Sequence, residues 1–243
     1  MDGLGDGTGN QERAEQTMSY TPRSLRPFSA NSVTVVKCDF ISYALGAGTQ
    51  LGVGLECTGM EKVSRTASQL RRLMREHRLA RFTRRFEQGF ARGYVLDVGP
   101  QFFLLALQSD QIRFDGFSCF RVADVKNLKP DPYAAFAEAA LKKLREPMPK
   151  KPRVSVATIE ELLLSASSLF PLLTIHREKV KPDVCWIGKI EEIQRGQVSL
   201  LEIGPDAMWD AKPTWYKLNE ITSVEFGGEY ERALHLVGGN SPT

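Results

Sequence analysis

Gly93-Tyr-Val-Leu-Asp-Val-Gly-Pro-Gln-Phe-Phe-Leu-Leu-Ala-Leu-Gln108 is the stretch on which the fold turns. Its β-rich residues on either side of Gly99-Pro100 form the pattern of two strands joined by a tight turn. An offset of 95 residues carries this stretch onto a second copy. Gly93 falls on Gly188, Val95 on Ile190, Val98 on Ile193, Phe103 on Val198 and Leu105 on Leu200. After one inserted residue, Phe120 falls on Tyr216, Arg121 on Lys217, Val122 on Leu218, Asp124 on Glu220, Val125 on Ile221 and Leu128 on Val224. One more shift places Tyr133 on Tyr230, where a helix begins in each copy. Alternating strands match apolar positions by chance. They do not so readily match glycine, basic, acidic and aromatic positions in one order, so the chain reads as a duplication.

Working outward, Ile112 to Val122 reads as a further strand pair or one bent strand around Asp115-Gly116, and Val125-Lys-Asn-Leu-Lys-Pro-Asp-Pro as the stop of that sheet. Tyr133 to Arg145 has helical spacing, and Pro147-Met-Pro-Lys-Lys-Pro152 begins an extended polar linker over 147–156. Thr158 with Glu161 predicts a capping box for a second helix. Strand texture returns over 172–179, 185–193, 198–203 and 215–226, and a short helix closes over 229–237. A lone open sheet of four or five short strands leaves two bare edges, and curling into a barrel removes most of that liability. The expected fold is therefore mainly β, in the α+β class, with two tandem small β-barrels and flanking helices. Val95, Phe103, Leu105, Val122 and Val125 are expected to fill one interior; Ile190, Val198, Leu200, Leu218 and Ile221 are expected to fill the other.

Phe114-Asp-Gly-Phe117, Pro130-Asp-Pro-Tyr-Ala-Ala-Phe136, Thr174-Ile-His-Arg-Glu178, Cys185-Trp-Ile-Gly188 and Ile221-Thr-Ser-Val-Glu-Phe-Gly-Gly-Glu-Tyr230 resemble a bacterial family of cytoplasmic proteins with no assigned activity. The resemblance spans about residues 60–240 and implies two tandem Sm-like barrels, a helix preceding each bent five-stranded sheet. Sm-like domains assemble in rings and bind RNA, but this chain has no clear match to their RNA-contacting loops.

The 243 residues carry 32 Lys or Arg against 29 Asp or Glu, so the whole-chain balance of +3 marks no nucleic-acid binder. The charge is local: residues 60–92 hold ten cations and three glutamates, a balance of +7. From Glu61 to about Phe86 the spacing predicts an amphipathic helix. Leu70, Leu73, Met74, His77 and Ala80 share one stripe, and Arg71, Arg75, Arg78 and Arg85 share the opposite one. Four guanidiniums along such a ridge suit neighbouring phosphates, with Phe82, Phe86 and Phe90 close by to stack on unpaired bases. The competing reading is a solvated face whose arginines pair with carboxylates elsewhere on the chain.

These features predict a non-catalytic cytoplasmic module that binds RNA or a ribonucleoprotein. The alternative is a protein-interaction or self-assembly scaffold, a homo-oligomer included, built through exposed strand edges. Motifs for nucleophilic, nucleotide and zinc-protease chemistry are missing from the sequence, so no catalytic residue and no cofactor are expected. Cys38, Cys57, Cys119 and Cys185 never reach a C-x2-C spacing, and His77, His176 and His235 lie far apart, so no metal site is expected. No run of 18 apolar residues exists, and the Met-Asp-Gly-Leu start is not that of an export signal. Residues 1–59, with 9 of the 20 glycines, read as a disordered tail or an over-extended reading frame whose start is Met60.

Overall fold

The computed structural model describes residues 57–86 and 89–242, and these fall within one compact unit. The expectations for residues 1–56 lie outside the described residues. The first helix, α1, spans Cys57–Arg75 and is shorter than the expected one. It ends in a Schellman motif: the Arg78 N–H donates to Leu73 O at 3.0 Å and the His77 N–H to Met74 O at 3.2 Å. The left-handed residue of that motif is His77, with φ 48°, where glycine is usual. His77 is therefore exposed on a turn rather than packed in an apolar stripe.

Strand β1, Leu79–Arg84, follows at once. The first half continues with β2, Ala91–Val98, β3, Phe102–Gln108, and β4, Phe114–Arg121. A single 3-10 turn, Val122–Asp124, leads to β5, Val125–Pro130, and helix α2 covers Ala134–Leu144. The residues expected to stop the sheet are thus themselves a strand, paired with β1 from Ala80↔Pro130 to Arg84↔Val125. Proline at the end of an edge strand costs no ladder bond.

The second half comprises α3, Ile159–Ser167, β6, Leu173–His176, β7, Cys185–Gln194, β8, Gln197–Glu202, and β9, Thr214–Lys217. Another 3-10 turn, Leu218–Glu220, precedes β10, Ser223–Phe226, and α4, Glu229–Gly238. The Thr158 hydroxyl caps α3 by accepting from the Glu161 N–H at 3.2 Å. The Glu161 carboxylate does not close the box, because it accepts from the Ser155 hydroxyl at 2.7 Å instead.

All ten strands form one antiparallel sheet in the order β5-β1-β2-β3-β4-β10-β6-β7-β8-β9. This corrects the expectation of two tandem Sm-like small β-barrels: the sheet is single and open. The barrel argument treated each half as having two bare edges. Here one edge of each half is paired with the other half, from Phe120↔Ser223 to Phe117↔Phe226, so closure is not needed to satisfy it. Within the sheet the halves keep matching order, last-first-second-third-fourth. Each has a bulge in its second strand, at Val95/Asp97 and at Ile190/Glu192.

Two main cores flank this sheet. Val95, Phe103, Leu105, Val122 and Val125 pack with Leu70 and Leu73 of α1, as a helix covering one face. Phe102, Leu104 and Cys119 point to the other face and join Leu162, Leu163, Val198, Leu200, Leu218 and Ile221 in a core common to both halves. Ile190 is only partly buried at the margin of that core. Val154 and Val156, in the stretch expected to be a polar linker, are buried in it as well.

Gly93 and Gly188 occupy equivalent places where a side chain cannot fit. A Cβ at Gly93 would lie 2.2 Å from Ala106 O, and one at Gly188 2.1 Å from Leu201 O. Gly93→Ala and Gly188→Ala are each expected to lower stability by about 1–3 kcal/mol, the range for overpacking. Urea denaturation measures this, and an unchanged midpoint in either variant contradicts the close approach.

Candidate functional site

The basic segment of residues 60–92 folds into helix, turn and strand, so its arginines are distributed differently from a single ridge. Arg71 and Arg75 sit one turn apart on the exposed side of α1, with Arg72 beside them. Arg78 lies on the turn, 3.7 Å from Glu76. Arg85 follows β1, separated from Arg78 by about 20 Å of extended chain. The structure thus brings Arg71 and Arg75 together, keeps Arg78 nearby, and sets Arg85 apart. The strand also alters the aromatics. Phe82 is fully buried between Phe103 and Phe120, at 5.2 Å from each ring, and is not free to stack on a base.

Elsewhere five of the eighteen Lys and Arg side chains in residues 93–242 have a carboxylate within 4.0 Å. Lys179 lies 2.8 Å from Asp124, Lys189 2.9 Å from Glu191, and Arg177 is bonded to Glu220. Among the described residues no carboxylate lies within 4.0 Å of Arg71, Arg72, Arg75 or Arg85, all of them exposed. Arg71 also lines a shallow depression of about 390 Å³ between α1 and the β2–β3 turn, together with Val63, Ser64, Ala67, Gly99 and Pro100. The apolar side of α1 is spent on the core, since Leu70 and Leu73 are buried. What α1 offers to a partner is charge.

A second polar grouping lies at the β4/β10/β6 junction. Pairing sets Phe120, Ser223 and His176 in one row and Ser118, Glu225 and Thr174 in the next, on the face opposite the shared core. Arg84, at the end of β1, reaches across to Glu178 at 2.7 Å, with both side chains 5% exposed. Arg84 also donates to the Ser223 hydroxyl at 3.3 Å and stacks over the Phe120 ring. His176 Nε2 is 3.5 Å from Glu225 and its Nδ1 is 4.0 Å from Glu178. Burial works against a charged His176, but the Glu225 and Glu178 carboxylates outweigh it and raise its pKa above the ordinary 6.5. Burial likewise opposes a charged Glu225, and His176 and Arg84 outweigh that, lowering its pKa from the ordinary 4.5. The sequence singles out neither Arg84 nor Glu225 as part of a grouping and shows His176 only as a lone strand histidine between Ile175 and Arg177, because the three are brought together only by strand pairing.

The remaining chemistry-bearing groups have structural roles. Cys119 is fully buried, and burial pushes its thiol far up; burial also pushes Cys185 up to about 12. Thiols held so far from ionisation are poor nucleophiles at neutral pH. Among the described residues no group of three His, Cys, Asp or Glu side chains is placed to hold a metal. The acidic loop from Glu202 to Asp210 is internally engaged: Glu202 accepts from the Tyr216 hydroxyl, and Asp206 accepts from the Met208 N–H at 3.2 Å. No helix among the described residues is long and apolar enough to cross a membrane.

No protein-family model matches the chain, and no curated protein matches it. Two solved structures of MrkH from K. pneumonia align at 10% identity. The apo form covers 72% of this chain and 90% of its own, at a TM-score of 0.15. A 2.65 Å P2(1) crystal form covers 78% and 95%, at 0.14. Scores this low carry nothing about fold or function.

The junction makes stability depend on pH from both sides. Because its folded pKa is raised, His176 contributes stability in full below about 6.5, and that contribution is lost as pH rises through the folded value. Glu225 has a depressed pKa, so its contribution holds above about 4.5 and is lost as pH falls through the folded value. Chemical denaturation across pH 4 to 9 is expected to show stability declining on the alkaline side of about 6.5, and His176→Gln is expected to flatten that decline. Glu178→Gln removes the carboxylate that lies 2.7 Å from the buried Arg84 guanidinium and is expected to cost about 3 kcal/mol at neutral pH.

Proposed function

We propose that the chain is a non-catalytic module that binds RNA, alone or within a ribonucleoprotein, through the basic surface of α1. The observation that carries this reading is the exposed group Arg71, Arg72 and Arg75 on one side of α1, within the segment of balance +7, with no carboxylate within 4.0 Å among the described residues. Residues 60–92 contain nine arginines and one lysine. Arginine presents a planar fork that matches phosphate oxygens two at a time, which a lysine ammonium does not. An anionic membrane surface is a poorer fit, because Leu70 and Leu73 of α1 are buried in the core and the helix keeps little apolar surface to insert beyond Met60 and Val63.

Assembly through strand edges is less well supported. The outer edges are β5, with Lys126, Lys129 and Pro130, and β9, flanked by Lys212 and Pro213 and ending at Lys217. Lysine and proline discourage edge pairing, and two basic edges repel each other. Light scattering is expected to report one chain per particle across micromolar concentrations; a concentration-dependent increase in mass favours the scaffold reading.

The RNA reading is tested by fluorescence anisotropy with a single-stranded RNA at two salt concentrations. For the chain carrying Arg71→Gln, Arg72→Gln and Arg75→Gln together, affinity at low salt is expected to fall by about 10- to 100-fold. The slope of log K against log salt should flatten by roughly 2, since each single-strand phosphate contact contributes about 0.7. Absence of binding by the unmodified chain at low salt overturns the proposal.

A further inference from the structure

The centre of β1 contains a second basic arrangement, on the face turned away from α1. Arg81 is paired directly with Arg92 on β2 and with Lys129 on β5, so three cations stand in a row across three adjacent strands. Like charges placed opposite one another on one face repel. Among the described residues no carboxylate lies within 4.0 Å of Arg81, and its guanidinium lies over the Phe90 ring at 3.5 Å, which holds the fork in one plane. Arg92 donates to Ser109 O at 3.0 Å and to the exposed Asp110 carboxylate at 3.3 Å. Lys129 is exposed.

The row continues into buried groups that lack partners. Gly93 pairs with Leu107, so the next rung of the same register sets Gln108 beside Arg92. Gln108 is 2% exposed, and among the described residues neither its amide nitrogen nor its amide oxygen has a hydrogen-bond partner. The Nε of Arg92 is buried without a partner too. Two unmade donors and one unmade acceptor beside Arg81 and Lys129, which have no carboxylate within 4.0 Å among the described residues, fit a ligand better than they fit a finished interior. The next rung the other way, Thr83 and Asn127, adds hydroxyl and amide groups bonded to each other at 3.2 Å.

We infer that Lys129, Arg81, Arg92 and Gln108 form a site for a phosphate ester carrying a neighbouring hydroxyl, the chemistry of an RNA backbone. This deepens the RNA reading and rests on it for the source of the ester. Lys129 and the Arg81 fork meet the phosphate oxygens. Arg92 Nε and the Gln108 amide nitrogen donate to the inner oxygens, and the Gln108 amide oxygen accepts from the sugar hydroxyl. Asp110 holds Arg92 in the unliganded chain and is displaced on binding.

Nuclear magnetic resonance of the side-chain amide of Gln108 tests the site. The probes are inorganic phosphate, uridine monophosphate and a single-stranded RNA. The nucleotide is expected to shift the Gln108 signals saturably, and inorganic phosphate to act at about tenfold higher concentration. Arg81→Gln should weaken the nucleotide by about tenfold or more. Asp110→Asn, which removes the competing carboxylate, should tighten it about threefold, an effect that a purely structural Arg92–Asp110 pair would not give. Gln108 signals that move with none of the three probes overturn the inference. If RNA binds but its affinity and salt slope are unchanged in Arg81→Gln and Asp110→Asn, this site falls while the α1 reading stands. If RNA fails to bind while the mononucleotide shifts Gln108, the α1 reading falls and the site stands.

Discussion

The pairing of β4 with β10 is the constraint on which the rest of the structure depends. It gives each half a partner for one edge and puts Cys119, Val224 and Ile175 in a continuous apolar row beneath α3. On the opposite face the same register creates a polar strip, with Ser118, Ser223 and Thr174 all buried. A strip of that kind is tolerable only if its groups and neighbouring charges are matched. Arg84 with Glu178, and His176 with Glu225, match the charges. Arg121 adds two bonds across the junction, donating to Ile221 O at 2.7 Å and to Leu218 O at 3.1 Å.

This explains why cations close together in sequence have different fates. Arg84 is drawn into the junction because β1 ends beside the loop that carries Glu178. Arg71, Arg72 and Arg75 stay outside because α1 covers the sheet with Leu70 and Leu73 and turns its basic side away. Arg81 is separated from Arg84 by the two-residue alternation of the strand, which sends it to the other face beside Arg92 and Lys129. One basic segment therefore serves one structural role and supplies two surfaces, and the proposed RNA contacts draw on the surfaces alone.

Part of this was legible in the residues. Alternation around Gly99-Pro100 and its echo near Gly188 located β2, β3, β7 and β8, because a half-buried strand writes its period directly into the sequence. The Thr158 cap and the interior set from Val95 to Val125 were readable for the same local reason. The end of α1 was not. Its Schellman motif uses His77 where glycine would have signalled the stop, and Leu79, Ala80 and Phe82 happen to continue an apolar spacing compatible with a helix. The four-arginine ridge inherited that error, and so did the expected stacking role of Phe82.

The amino-acid sequence by itself determined β2, β3, β7 and β8 with their turns, the doubled order of elements, and the concentration of arginine in residues 60–92, since each depends on neighbours within a few positions along the chain. The tertiary structure alone decided that the halves join in one open sheet rather than two closed barrels. It alone placed Arg84 with Glu178, and Gln108 beside Arg92. The reason is that edge pairing and buried charge balance are settled between residues about 100 positions apart in the first two cases, and across a strand register in the third. No local pattern records which edge, or which carboxylate, a group will meet.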